Sequence, residues 1–312
     1  MKKVAISIGD INGVGAEIAL KAHSEISKII KPVYFVDLGV MECASKILKM
    51  PIPRDFEISE IAPFCSQSVR ESIKQNALIC PAQVTKESGE YSFISFKNAV
   101  QCVERGEMDA ILTLPINKFA WKCAGIDFIG HTEFLRAHFG SGIMMLGCNE
   151  MFVALFTDHI PLNAVASHIK FNAVRDFLLS FHTHFSFESA LVLGLNPHAG
   201  DGGVLGSEDE IIQKALDSAN MTLGAEIYKG VVAPDSAFRA QNRKKFKVFV
   251  AMYHDQGLSV LKALYAEKSI NITLGIPILR VSVEHGTGFD IAYKGVASVD
   301  SYIEAVRFIA KH

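Results

Sequence analysis

Apolar, β-branched runs that end abruptly in polar residues and glycine recur along this chain, and segments of helical periodicity follow most of them. The pattern is plainest at residues 247–252, a strand-like run that closes in Tyr253-His254-Asp255-Gln256-Gly257 before an apolar-periodic stretch bearing Lys262. Alternating strand and helix signals of this kind specify an α/β architecture with a largely parallel sheet. In such sheets the chemistry collects beyond the carboxyl ends of the strands. With 312 residues the chain is long enough for two lobes, each with its own core.

Residues 4–8 form one such strand, broken by Gly9-Asp10-Ile11-Asn12-Gly13-Val14-Gly15 before a helical stretch over 16–30. A Gly-rich βα turn can present backbone N–H groups to an anion. This one is neither the GxGxxG dinucleotide fingerprint nor a Walker loop, and tight-turn glycines also serve backbone geometry alone. A strand over 33–38 and a helix over 41–49 come next, then a proline-interrupted region to residue 91 with short strands and one helix. An amphipathic helix over 92–105 leads to a strand over 109–114 that ends in Pro115-Ile116-Asn117-Lys118.

The segment GHTEFL, with His131 and Thr132, reads as a helix start with Thr132 as cap. It is equally a place where an anion could sit or a plain capped surface helix. Runs 143–148 and 151–156 pattern as a hairpin turning around 147–150, and 171–184 as a helix. A strand over 190–195 enters a Gly-rich loop with His198, and the next helix starts near Ser207. Late strands over 271–275 and 279–283 precede a closing helix over 300–311.

Composition narrows the function classes. Lysine and arginine number 31 against 33 acidic residues, so no basic footprint argues for nucleic acid. No apolar run reaches the roughly 20 residues of a membrane span. Six cysteines without CxxC pairing read as reduced thiols, which places the chain in the cytoplasm.

His159, His198 and His254 each stand just past an apolar strand. Strand ends in a parallel sheet share an edge, so the three could converge on one ion, and three imidazoles with open positions describe a catalytic metal site. Each taken singly is equally a hydrogen-bonded loop histidine, and His254 with Asp255 equally a helix cap. Lys262, Asn271 and Arg280 flank the last strands, and a lysine with a forked guanidinium suits a phosphorylated ligand. Surface charge is the competing reading for each. Arg280, set between Ile278-Leu279 and Val281, fits it least.

The motifs GDINGVGAEI, TLPINK, GHTEFL, TDHIPL, GLNPHAGDGGVLGSE, APDSAF, MYHDQGLSVLK and NITLGIPILRVSVEHGTGFDIA run nearly end to end in order. In them the chain closely resembles the 4-hydroxythreonine-4-phosphate dehydrogenase family of pyridoxal 5′-phosphate biosynthesis. The resemblance implies a two-lobed isocitrate/isopropylmalate dehydrogenase-like fold with a cleft between lobes. The lobes would be residues 1–115 with 262–312, and residues 116–261. It implies a homodimer with a shared active site, NAD or NADP as cofactor, and a divalent metal (zinc, magnesium or cobalt) on His159, His198 and His254, with His254 from the partner subunit. His131, Thr132, Asp235, Lys262, Asn271 and Arg280 would contact substrate, and Asp255 would line the same pocket. The family's first motif reads GDPxGIGPE, and here Ile11 and Ala16 replace its prolines.

The implied reaction is metal-dependent oxidative decarboxylation of 4-phosphooxy-L-threonine to 3-amino-2-oxopropyl phosphate, with a desolvated Lys262 or Asp255 relaying the hydroxyl proton. Two other readings keep the same residues in use. One is a dehydrogenase of threonate or erythronate 4-phosphate, and the other a metal-dependent hydrolase or phosphate-binding module without nicotinamide.

Overall fold

The computed structural model describes residues 1–140 and 142–312. In chain order the first elements are β1 (Lys3–Ser7), α1 (Gly15–Ile26), β2 (Lys31–Phe35), α2 (Leu38–Leu48), β3 (Glu57–Ser59), α3 (Gln67–Lys74), α4 (Lys86–Glu104), β4 (Ala110–Thr113), α5 (Lys118–Cys123) and α6 (His131–Phe139). There follow β5 (Ile143–Cys148), β6 (Met151–Leu155), α7 (Leu162–His168), α8 (Phe171–His184), β7 (Ala190–Leu193), α9 (Glu208–Leu223), β8 (Tyr228–Val232), α10 (Pro234–Ala237) and α11 (Ala240–Lys245). The chain closes with β9 (Val248–Ala251), α12 (His254–Tyr265), β10 (Ile270–Leu274), β11 (Arg280–Val283) and α13 (Asp300–Lys311).

These elements form two compact units, Met1–Gly140 with Ile276–His312, and Ser141–Gly275. The first is discontinuous, and its borders lie at 140/141 and 275/276, against the 115/116 and 261/262 divisions read from sequence. Side-chain packing explains both shifts. Helices α5 and α6 belong to the first unit because Trp121, His131 and Phe134 pack edge-on or tilted against Phe93 and Phe96 of α4, with ring centroids 4.4–6.1 Å apart. Helix α12 belongs to the second because Leu258 and Leu261, one turn apart, are buried with Val153, Leu155 and Phe249. Burying such a leucine stabilises by about 1.5–3 kcal/mol, so the helix follows the sheet beneath it.

In the first unit β3, β2, β1, β4 and β11 are joined by parallel pairings. In the second, β6, β9, β7 and β8 pair in parallel. The expected hairpin is present, with Cys148 opposite Met151, and it makes this sheet mixed because β5 runs antiparallel to both β6 and β10. Helix α4 begins six residues before the expected start, since the Thr85 hydroxyl caps it by accepting from the Ser88 N–H at 3.1 Å. Its interior is 19 residues long. Among the described residues the six cysteines are free thiols and no helix is long and apolar enough to cross a membrane.

Candidate active site

Four parallel strands of the second unit end along one edge, and polar residues read from sequence continue from each of them. Beyond β6 come Thr157, Asp158 and His159; beyond β9, His254 and Asp255; beyond β7, the loop of His198; beyond β8, Asp235. The ends are stitched together by hydrogen bonds past the last ladder pairs. The Thr157 hydroxyl and N–H both donate to the Met252 carbonyl, at 2.6 and 3.2 Å. That tie sets the chain after β6 against the chain after β9, and the rings of His159 and His254 then lie with centroids 5.7 Å apart at a 39° interplanar angle.

The pair fits half of a divalent-metal site. Two imidazoles bound to one ion at about 2.1 Å and a tetrahedral angle place their centroids roughly 5.3 Å apart. His254 is further oriented by its neighbour, since its Nδ1 lies 2.7 Å from Asp255 Oδ1. A carboxylate accepting from one ring nitrogen turns the other outward as a ligand. Helix α12 starts at His254, its preceding residue Tyr253 makes no side-chain cap, and the imidazole points to a carboxylate and a second histidine.

His198 occupies a different setting. It opens a 3-10 turn, Pro197–Gly203, in which His198, Ala199, Gly200, Asp201, Gly202 and Gly203 all have positive φ, from 45 to 95°. Three of those are non-glycine residues held in a region that L-amino acids seldom occupy, a form of strain that surrounding structure must maintain. Asp209, buried in the first turn of α9, does so. Its carboxylate accepts from the Leu195 N–H at 2.7 Å, the Asn196 N–H at 3.2 Å and the Asn196 side-chain amide at 2.8 Å. His198 itself is exposed. Among the described residues no three histidine, cysteine or acidic side chains converge to hold a metal. Within one chain His254 lies beside His159, because Thr157 binds the two strand ends together.

The remaining second-unit residues are placed as follows. Lys262 is on α12, eight positions after His254, so the helix sets their Cα atoms about 12 Å apart along its axis. Its side chain is exposed in the single chain. Asp235 is exposed in the first turn of α10, and Asn271 lies on β10 with its Oδ1 buried and unpartnered by any protein group.

The first unit gathers His131 and Arg280. Arg280 is 2% exposed, and its Nη2 donates to Thr113 Oγ1 at 3.0 Å and sits 3.4 Å from His131 Nδ1. Burial lowers the guanidinium pKa to about 10, against the opposing pull of Glu284. Burial, then the charges of Arg280 and Lys118, hold His131 well below the usual histidine range, so it is a neutral imidazole with a buried, unpartnered Nε2. A buried cation beside an orphaned ring nitrogen is a setting that an anionic ligand would complete. Thr132 is not the cap expected of it. The helix starts at His131 after Gly130, and Glu133 reaches back to accept from the Ile129 N–H at 2.8 Å. Thr132 therefore occupies the second helical position with its hydroxyl uncommitted to capping.

The Gly-rich turn after β1 belongs to the core. Residues 8–20 are buried throughout, and a Cβ at Gly9, Gly13 or Gly15 would come within 2.3–2.5 Å of the Pro115, Thr287 or Ile8 carbonyl oxygen. The backbone-geometry reading of this turn holds, and its N–H groups face protein.

Two α/β units, parallel strand ends carrying histidines and a buried arginine define an isocitrate/isopropylmalate dehydrogenase-like fold. Within that class, residues 28–309 match the family model of the pyridoxal phosphate biosynthetic protein PdxA, and the chain belongs to that family. It is 49% identical to the 4-hydroxythreonine-4-phosphate dehydrogenase of Sulfurimonas denitrificans over 98% of this chain and 96% of that one. It is 48% identical to the enzyme of the same name from Campylobacter fetus, over 100% of this chain and 98% of the other. A crystal structure of a 4-hydroxythreonine-4-phosphate dehydrogenase from Burkholderia phymatum superposes with a TM-score of 0.78 at 29% identity, covering 100% and 98% of the two chains.

The hydrogen-bonding residues Thr157 and Asp209 were not found by reading the sequence. Each is an ordinary polar residue whose partner lies on another strand, and only the TDH and SED contexts around the motifs hinted at them.

Proposed function

We propose that this chain is an NAD(P)-dependent and divalent-metal-dependent 4-hydroxythreonine-4-phosphate dehydrogenase, acting as a homodimer. The observation that carries the reading is the family match over residues 28–309, joined to the His159–His254–Asp255 arrangement that a metal would need. The overall change is oxidation of the substrate's secondary alcohol to a ketone, with hydride passing to the nicotinamide. The resulting β-keto acid loses carbon dioxide to leave 3-amino-2-oxopropyl phosphate.

His159 and His254 of one chain would hold the cation, with His198 supplied by a second copy of the chain. Bound there, a divalent cation supplies Lewis-acid stabilisation of developing negative charge on a substrate oxygen. Asp255 keeps His254 in its ligating tautomer, which commits that carboxylate and leaves Lys262 Nζ to move the hydroxyl proton. Arg280 and neutral His131 are suited to the phosphate, the arginine as charge and the imidazole as donor. Thr132, Asp235 and Asn271 contribute uncharged or acidic hydrogen-bonding groups to the same substrate.

The test is formation of reduced nicotinamide from 4-phosphooxy-L-threonine by protein stripped with chelator, before and after adding Zn²⁺, Mg²⁺ or Co²⁺, with threonate and erythronate 4-phosphates alongside. Activity is expected only with metal and chiefly with the amino acid, and His198→Ala should abolish it. Undiminished turnover in chelator would sink the metal assignment, and preference for a sugar acid would replace the substrate.

A further inference from the structure

Strands β7 and β9 pair in parallel through Ala190–Val248, Leu191–Phe249 and Val192–Val250. Continuing that register two steps would set Gly194 opposite Met252, yet the backbones do not bond there. The side-chain amide of Gln256 stands between them. The Met252 N–H donates to Gln256 Oε1 at 2.7 Å, and Gln256 Nε2 donates to the Gly194 carbonyl at 2.7 Å. The Gly194 N–H in turn donates to the Val232 carbonyl at 2.9 Å, and the Met252 carbonyl accepts from Thr157. A chain of hydrogen bonds thus crosses the ends of β6, β9, β7 and β8, with one link made by a side chain in place of a peptide group.

Helix capping does not account for this. A residue at the third helical position that caps its own helix accepts from the N–H of the cap residue, here Tyr253. Gln256 accepts from Met252, one residue further back, and spends its donor on a different strand 62 residues away. It is 8% exposed, so both bonds are made in a buried setting where loss of either leaves a backbone group unsatisfied.

We propose that Gln256 is a positioning residue for the metal ligands, fixing how far β7 and β9 splay and hence where His254 stands for its own chain's site and His198 for that of the second copy. His254 follows Met252 by two residues and His198 follows Gly194 by four, so the amide lies at the root of both. The proposal rests on the metal reading above. Three variants of the full-length chain test it by Co²⁺ titration, followed through visible absorption, together with urea unfolding in metal-free buffer: Gln256→Leu, Gln256→Glu and His254→Ala.

Gln256→Leu removes both bonds at similar volume and is expected to weaken Co²⁺ binding by about 10- to 100-fold, the range for residues that orient metal ligands. Gln256→Glu keeps the acceptor for the Met252 N–H and should fall between it and the unaltered protein. It also decides the matter if the leucine variant does not fold. Lowered urea midpoints with Co²⁺ affinity within twofold of the unaltered chain, while His254→Ala binds weakly, would overturn the positioning role. Undiminished binding in His254→Ala as well would overturn the metal reading and the proposal with it.

Discussion

Asp10 shows how a single residue of a motif can serve the fold. It is fully buried, its Oδ1 accepts from the Asn12 N–H at 2.9 Å, and burial raises its pKa to about 6 despite that bond and a Ser88 contact that both lower it. A carboxyl whose folded pKa is raised contributes stability in full below about pH 4, and that contribution is lost as pH rises through about 6. Asp10→Asn removes the titration while keeping the acceptor. Its stability relative to the unaltered protein should therefore grow between pH 4 and 6 and level off above, by up to roughly 3 kcal/mol. Urea unfolding at pH 4.5 and 7.5 checks this, and a gap of equal size at both would refute it. At this scale the histidines were legible because each follows a strand. The ties that aim them were not, since Thr157 and Gln256 act on backbone atoms of segments remote in sequence.

Helix α4 illustrates how tertiary contact overrides local preference. Gly89 lies in its interior, where helix propensity favours alanine by about 1 kcal/mol. A Cβ there would stand 2.1 Å from the Ala120 carbonyl oxygen, at the crossing where Trp121 Nε1 donates to Ser92 Oγ at 2.8 Å. Gly89→Ala should thus destabilise, by about 1–3 kcal/mol as overpacking does, contrary to propensity. A rise in the thermal midpoint would show that α4 and α5 part easily. Long periodic elements such as α8 and α13 were readable to the residue because one face alternates cleanly with the other. The short α5, α7, α10 and α11, and the five-residue β8, carry too few periods to declare themselves.

At the scale of the whole molecule, a helix's pattern does not say which sheet it will cover, so packing such as that of Trp121 and Leu258 decides the unit each helix joins. The pairing of His159 with His254 inside one chain leads to a test of assembly. If His198 comes from a second copy, mixing His198→Ala with His254→Ala chains rebuilds one intact site in each mixed dimer. Random exchange should then restore about a quarter of full activity from two inactive proteins. Mixing His159→Ala with His254→Ala should restore none, since those ligands sit on the same chain. Equal recovery in both mixtures would contradict the arrangement.

The amide link at residue 256 has an evolutionary side. Most rungs of a sheet are written in the backbone and survive almost any change of residue. This one depends on a single codon. A point mutation to a shorter or longer side chain would alter the gap between two strand ends without moving a strand boundary, a loop length or a ligand. The placing of the histidines is therefore open to selection in single steps, while the sheet that carries them is not.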